Sequence, residues 1–134
     1  MTVWAGRILM FLATAHLVTT TALSHAHLSA FLQGDLWLPE HGLSDLSPEL
    51  GAYWLTVGSF GLPLLLLGAV VVSTGRAGRT LPPYLGWGLV AWTLAGSLLL
   101  EPTPMILVLI PAGMLIAARR RAGDGTAAAP RVRA

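Results

Sequence analysis

The sequence predicts an all-α, polytopic membrane protein: a bundle of four transmembrane helices, with an amphipathic segment on the outer side between helices 1 and 2. Three observations lead there. Of the 134 residues, 54% are hydrophobic and 10% charged, with a mean hydropathy of +0.71, whereas a soluble domain carries about 25% charged residues. Four apolar segments follow one another, separated mostly by short polar turns. Every basic residue is an arginine, and all eight fall at the same ends of those segments. The length suits one domain.

The first span covers about residues 3–23, interrupted by Arg7 and His16. A spanning helix needs roughly 20 mostly apolar residues, and this stretch supplies them. The second covers about 50–74. Its start signal is Ser47 as N-cap, Pro48 at the first helical position and Glu49 in the first turn. The third covers about 81–100, with Pro82 and Pro83 in its first turn, and the fourth about 104–118, capped by Thr103. Fifteen residues rise only about 22 Å, so the fourth must thin the bilayer or let Arg119 snorkel. The turns STGRAGRT (73–80) and EPTP (101–104) make neighbouring helices antiparallel. Residues 1–118 thus form the membrane domain, and 119–134 a small, polar, basic tail expected to be disordered in the cytoplasm.

Between the first two spans, residues 24–47 carry Asp35, Glu40 and Asp45, yet Leu28, Phe31, Leu32, Leu36 and Trp37 recur at helical spacing. This is either a short amphipathic helix on the membrane surface or an extension of the first helix beyond the bilayer.

Charge sets the orientation. Arg7, Arg76, Arg79, Arg119, Arg120, Arg121, Arg131 and Arg133 lie on one side of a four-span chain. The other side holds Asp35, Glu40, Asp45, Glu49 and Glu101 and no arginine. Basic loops stay cytoplasmic, which gives a multi-pass cell-membrane protein with both termini inside. A cleaved signal peptide competes for the first segment, with ALS (22–24) as its small-x-small site. Against it stand the single n-region charge and the length of the apolar run. The scatter of the arginines over segment ends also removes nucleic acid as a partner.

Small residues set where helices can approach in lipid. Gly88, Ala91, Ala95 and Gly96 in the third span and Gly113 and Ala117 in the fourth are expected to pack inside the bundle, or to form a homo-oligomer contact. Gly58, Gly61 and Pro63 interrupt the second span and Pro111 the fourth, as prolines do in membrane helices. Trp4, Tyr53, Trp54, Tyr84 and Trp87 lie near segment ends, as in an aromatic belt. Trp92 is mid-span and reads as packing.

His16 shares a helix face with Leu9, Leu12, Ala13, Thr19, Thr20 and Leu23. That weakly polar stripe should face the bundle rather than lipid. His16, Thr19 and Thr20 are therefore the candidate ligand-binding residues; a structural, hydrogen-bonded His16 is the simpler alternative, and a proton relay or an axial cofactor position are others. His25, His27 and His41, with Asp35, Glu40 or Asp45, are metal candidates, but a His-x-His pair diverges on a helix. No metal is assigned and no cofactor is expected. With no cysteine there is no disulfide, thiolate site or thiol nucleophile. No carboxylate sits at mid-depth, and no hydrolase triad, phosphate loop or metalloprotease motif occurs.

GRILMFLATAHLV (6–18), AYWLTVGSFGLPLLLLG (52–68) and LPPYLGWGLVAW (81–92) resemble an uncharacterised family of small, mostly actinobacterial four-helix membrane proteins of unknown function. The likeness extends to residue 118. At greater distance the architecture looks like the DoxX-like group, which implies partner-subunit roles near redox enzymes. The expected function is a non-enzymatic bundle that binds a membrane partner, a small ligand or a lipid. The alternative is a small transporter or a membrane enzyme using a cavity near His16.

Overall fold

The computed structural model describes residues 1–33, 47–99 and 104–127. Among these residues there are only helices: α1 (Thr2–Leu23), a 3₁₀ turn (His25–His27), α2 (Leu28–Gln33), α3 (Pro48–Leu55), α4 (Gly61–Arg76), α5 (Pro83–Leu99), a second 3₁₀ turn (Pro104–Val108) and α6 (Leu109–Ala127). Asp35, Leu36, Trp37, Glu40, His41, Asp45, Glu101 and Thr103 lie outside the described residues, as do residues 128–134.

The four long helices α1, α4, α5 and α6 share one core. Alpha-helix α1 runs along α4 on one side and α6 on the other, and α5 packs on α6. The core is built from small and medium side chains: Ala5, Leu9 and Ala13 of α1, Leu64 and Val71 of α4, Leu89 of α5, and Ala112 and Leu115 of α6, with Val108 from the preceding turn. Where a helix gives more than one, these recur at spacings of three, four or seven, those of a single helix face.

The closest approach joins α1 to α4. A Cβ on Gly68 would stand 2.9 Å from the carbonyl oxygen of Gly6, and one on Gly6 2.8 Å from that of Gly68. Gly61 and Gly75 continue the line two turns away on either side, against Leu17 and Val3. Seven residues make nearly two turns, so the three glycines share a face. The backbones touch because none of these positions carries a side chain.

The structure corrects four expectations. The stretch read as one helix over 50–74 is two, α3 and α4, separated at residues 56–60. Pro63 and Pro111 are therefore not mid-helix: each is the third residue of a helix that starts at Gly61 or Leu109. In a first turn the missing N–H has no intrahelical partner to lose. Second, Gly88 and Gly113 have no neighbouring atom within 4 Å, and Ala91 and Ala95 are exposed. Gly96 does face inward as expected, but on a line with Gly86, Leu89 and Thr93, with Gly86 against Ile116 and Gly96 against Met105. Third, α6 runs on to Ala127 where a disordered tail was expected from 119. Alanine and arginine are strong helix formers, and Ala117 to Ala122 contains nothing else. Fourth, α1 does not extend straight beyond Leu23: it ends at Ser24, whose N–H donates to the Thr20 carbonyl, before the 3₁₀ turn begins.

At the end of the bundle away from the N-terminus, the first 3₁₀ turn, α2 and α3 pack together. Ser47 caps α3 as the sequence suggests, its hydroxyl accepting from Leu50 N–H at 3.2 Å.

Candidate functional site

The break between α3 and α4 and the histidine of α1 form one unit. Thr56, buried, turns its hydroxyl back onto the Ala52 carbonyl at 2.7 Å, and its N–H reaches the same carbonyl at 3.1 Å. Gly58 N–H takes the Tyr53 carbonyl at 2.9 Å. Ser59 then does most of the work of the break. Its hydroxyl donates to the Thr56 carbonyl at 2.6 Å and accepts from Gly61 N–H at 3.1 Å. The groups freed where α3 stops and α4 starts are thus satisfied locally, as backbone away from water requires.

His16 completes the unit from α1. Its Nε2 lies 3.1 Å from Ser59 Oγ. The single hydroxyl proton of Ser59 is directed at the Thr56 carbonyl, so Nε2 must be the donor and Ser59 the acceptor. Nε2 therefore carries a proton. The imidazole also stacks on Phe60, centroids 4.5 Å apart and planes at 27°, and Phe60 meets Trp92 of α5 edge-to-face at 5.3 Å. One histidine therefore ties α1 to the break and, through Phe60, to α5.

The other candidates sit differently. Thr20 is buried, but its hydroxyl donates to the His16 carbonyl at 2.8 Å rather than to the ring. Thr19, at the edge of the same face, is exposed. His25 Nδ1 donates to the Ala22 carbonyl at 2.9 Å, closing the end of α1. His27 Nδ1 lies 3.5 Å from Glu49 Oε1, joining the 3₁₀ turn to α3. The Glu49 carboxylate is held below its ordinary pKa, first by its own N–H at the head of α3, then by the Ser47 hydroxyl, with His27 adding a smaller pull. Among the described residues no three histidines or carboxylates gather as a metal site.

Sequence reasoning missed Ser59 and Phe60. The available signal was the spacing Gly58, Gly61, Pro63, which marks a helix that stops and restarts. It also missed Thr93 and Ser97, one turn apart on the inner side of α5, whose hydroxyl oxygens are buried without a hydrogen-bond partner.

Residues 1–123 match a family of unknown function, DUF6463. The chain belongs to that family. The match takes in both halves of the His16–Ser59 unit and all four long helices of the bundle up to residue 123 of α6. No curated protein and no solved structure matches this chain.

Proposed function

We propose that this member of the family is a multi-pass protein of the cell membrane. It crosses the bilayer four times through α1, α4, α5 and α6, keeps both termini in the cytoplasm, and works by binding a membrane component rather than by catalysis. The observation that carries this reading is the outside of the bundle. Phe11 is 69% exposed, Leu66 67%, Leu98 86% and Ile110 54%, so each long helix turns large apolar side chains outward. A soluble protein rarely leaves such continuous apolar surface in water; in a bilayer the same surface meets lipid.

Length agrees for α1, which among the described residues is the one helix long and apolar enough by itself to cross a membrane, at 22 residues and a mean hydropathy of 1.3. Alpha-helix α4 is apolar but has 16 residues, rising about 24 Å. A bilayer core of about 30 Å adapts to a shorter span by thinning or by snorkelling of flanking residues, and the break beside α4 lengthens its path. Trp4, Tyr84 and Trp87 stand exposed near the arginine end and Trp54 near the other, where aromatic rings suit the two interfaces.

The binding reading rests on His16. Among the described residues it is the one ionisable side chain in the inner part of the spans, and its Nε2 and one ring face are occupied by Ser59 and Phe60. It serves the helix break. The bilayer itself is the first partner; the outward Gly88, Ala91 and Ala95 of α5 offer a small-residue face to a membrane-protein partner or a second copy. A partner subunit is also what the DoxX-like resemblance implies. The topology is tested with a reporter active only in the cytoplasm fused after Ala134, and one active only outside inserted after His41. Activity of both supports the reading and reversed activities overturn the orientation. Energy-dependent transport by the purified, reconstituted protein would overturn the binding role in favour of a carrier.

A further inference from the structure

At the arginine end the bundle opens into a cavity of about 490 Å³, formed by the α4–α5 turn, the start of α5 and the last turns of α6. We propose that this cavity binds the phosphate headgroup of an anionic phospholipid, with Arg79, Arg119 and Arg120 around the phosphate and the apolar wall beneath taking the first carbons of the lipid. The proposal rests on the membrane reading above.

Local structure builds the cationic mouth. Gly78 takes φ +67°, a left-handed conformation that a glycine adopts without strain. The turn this makes lets Arg79 N–H close onto the Thr74 carbonyl at 3.1 Å and sets Arg79 at the cavity edge. From the other side, Arg119 donates from Nη1 to the Leu81 carbonyl at 3.0 Å, which fixes its guanidinium beside the entry to α5. A guanidinium has five donors, so most remain available.

Two of the arginines nearby outside the cavity are otherwise engaged. Arg7 lies over the Trp4 ring at 4.9 Å, and Arg121 donates to the Met1 sulfur at 3.0 Å. Arg79 and Arg120 are exposed and face no carboxylate among the described side chains; Glu49, the acid described, belongs to α3 at the opposite end. Three cations line the cavity, and no described acid does.

Beneath the mouth the lining turns apolar, through Leu85, Leu115 and Ile116. The floor closes where Gly86 seats Ile116, whose Cγ1 would be 2.7 Å from a Cβ at that position. Trp87, 56% exposed, stands at the side. The volume falls within the range of about 300–1,000 Å³ usual for ligand pockets. Inorganic phosphate would satisfy the arginines and leave the apolar wall in water. A zwitterionic lipid would bring its own cation into a cationic mouth. An anionic phospholipid meets both halves, and basic pockets between helices on the cytoplasmic side are suited to such headgroups.

The test uses the full chain, purified in neutral detergent and delipidated, then titrated with phosphatidylglycerol or phosphatidylcholine and read by native mass spectrometry, with inorganic phosphate as competitor. One phosphatidylglycerol per chain should bind in preference to phosphatidylcholine. The pair Arg79→Gln and Arg120→Gln should loosen it by about 30-fold, or roughly fivefold per arginine when made singly. Arg7→Gln with Arg121→Gln removes the same charge from the same end and should leave binding nearly unchanged. Equal retention of the two lipids overturns the proposal, as does an equal loss in the control pair. Displacement by inorganic phosphate at matching concentration, with the same dependence on Arg79 and Arg120, would assign the site to free phosphate and overturn the lipid. Recovery of the chain from cells without detergent is a separate outcome and overturns the membrane reading instead.

Discussion

Replacing Gly68 by alanine should weaken the bundle although it adds only one methyl. That methyl would stand 2.6 Å from Met10 Cγ, 2.9 Å from the Gly6 carbonyl oxygen and 2.9 Å from Met10 N. Met10 can swing its side chain away. The two backbone atoms cannot move without moving α1. Ordinary contact begins near 3.4 Å, so the helices must part by about 0.5 Å, the difference between 2.9 and 3.4. A gap of about 0.5–1 Å forfeits a quarter to a half of each dispersion contact, here along the line from Val3 to Leu17. Overpacking of this kind costs about 1–3 kcal/mol, and alanine returns up to about 1 kcal/mol of helix propensity. A net loss of about 1–2 kcal/mol is expected from these two. Gly88→Ala provides the comparison, because nothing lies within 4 Å of its added carbon. It should be neutral or slightly stabilising. Both can be measured by reversible unfolding in mixed micelles. A Gly68→Ala protein as stable as Gly88→Ala would refute the contact between α1 and α4.

Four other substitutions probe the break, the inner face of α5 and the outer layer. Ser59→Ala should destabilise by about 1–3 kcal/mol, since it strands the His16 ring N–H and the Gly61 N–H, while the Thr56 carbonyl keeps the backbone N–H of residue 59 at 3.1 Å. His16→Leu should cost less, about 1 kcal/mol, because Ser59 keeps its other two partners; the reverse order in the same unfolding assay would contradict the bonding assigned to Ser59. Thr93→Val replaces an unpartnered buried hydroxyl with a methyl of similar shape and should hold or raise the melting temperature; a marked fall would mean that the hydroxyl has a partner in the native protein. Glu49 has a folded pKa below its ordinary 4.5, so its stabilising contribution is present above that value and is lost as the pH falls through the lower folded one. An acid melting series should therefore show Glu49→Gln losing less stability than the parent below about pH 4.5, and parallel curves would count against the cap.

The all-helical class and the polar turn within residues 73–80 were legible because apolar period and length are strong signals in a chain with few charges. The Ser47 cap was legible too, being a local pattern of residue types. The split of residues 50–74 was half visible: Gly58, Gly61 and Pro63 stood out as irregular, but a helix interruption depends on who satisfies its carbonyls, and that role fell to Ser59 and to His16, which is 43 residues away from it. The facing of α5 was misjudged for a related reason. Gly88, Ala91 and Ala95 have the spacing of a packing face, as does the line from Gly86 to Gly96, and only tertiary contact with Met105 and Ile116 chooses between them. His16 was placed on the correct side of α1 by its neighbours, whereas the partner of its ring lay on another helix. The arginine cavity left no local pattern, since it joins a turn at Arg79 to the middle of α6 at Arg119.

The four-span arrangement is tested most directly by cysteine accessibility, which this chain suits because it has no native cysteine. Single cysteines would replace Gly51 in α3, Ala77 in the α4–α5 turn, and the outward-facing Phe11, Leu66, Ala91 and Ile110 of the four long helices. A membrane-impermeant maleimide is then applied to intact cells, and again after permeabilisation. Gly51→Cys is expected to react in intact cells, Ala77→Cys only after permeabilisation, and the four helix positions in neither case until detergent is added. Labelling of the Phe11, Leu66, Ala91 or Ile110 positions in undissolved membranes, or of Ala77→Cys from outside, would contradict it.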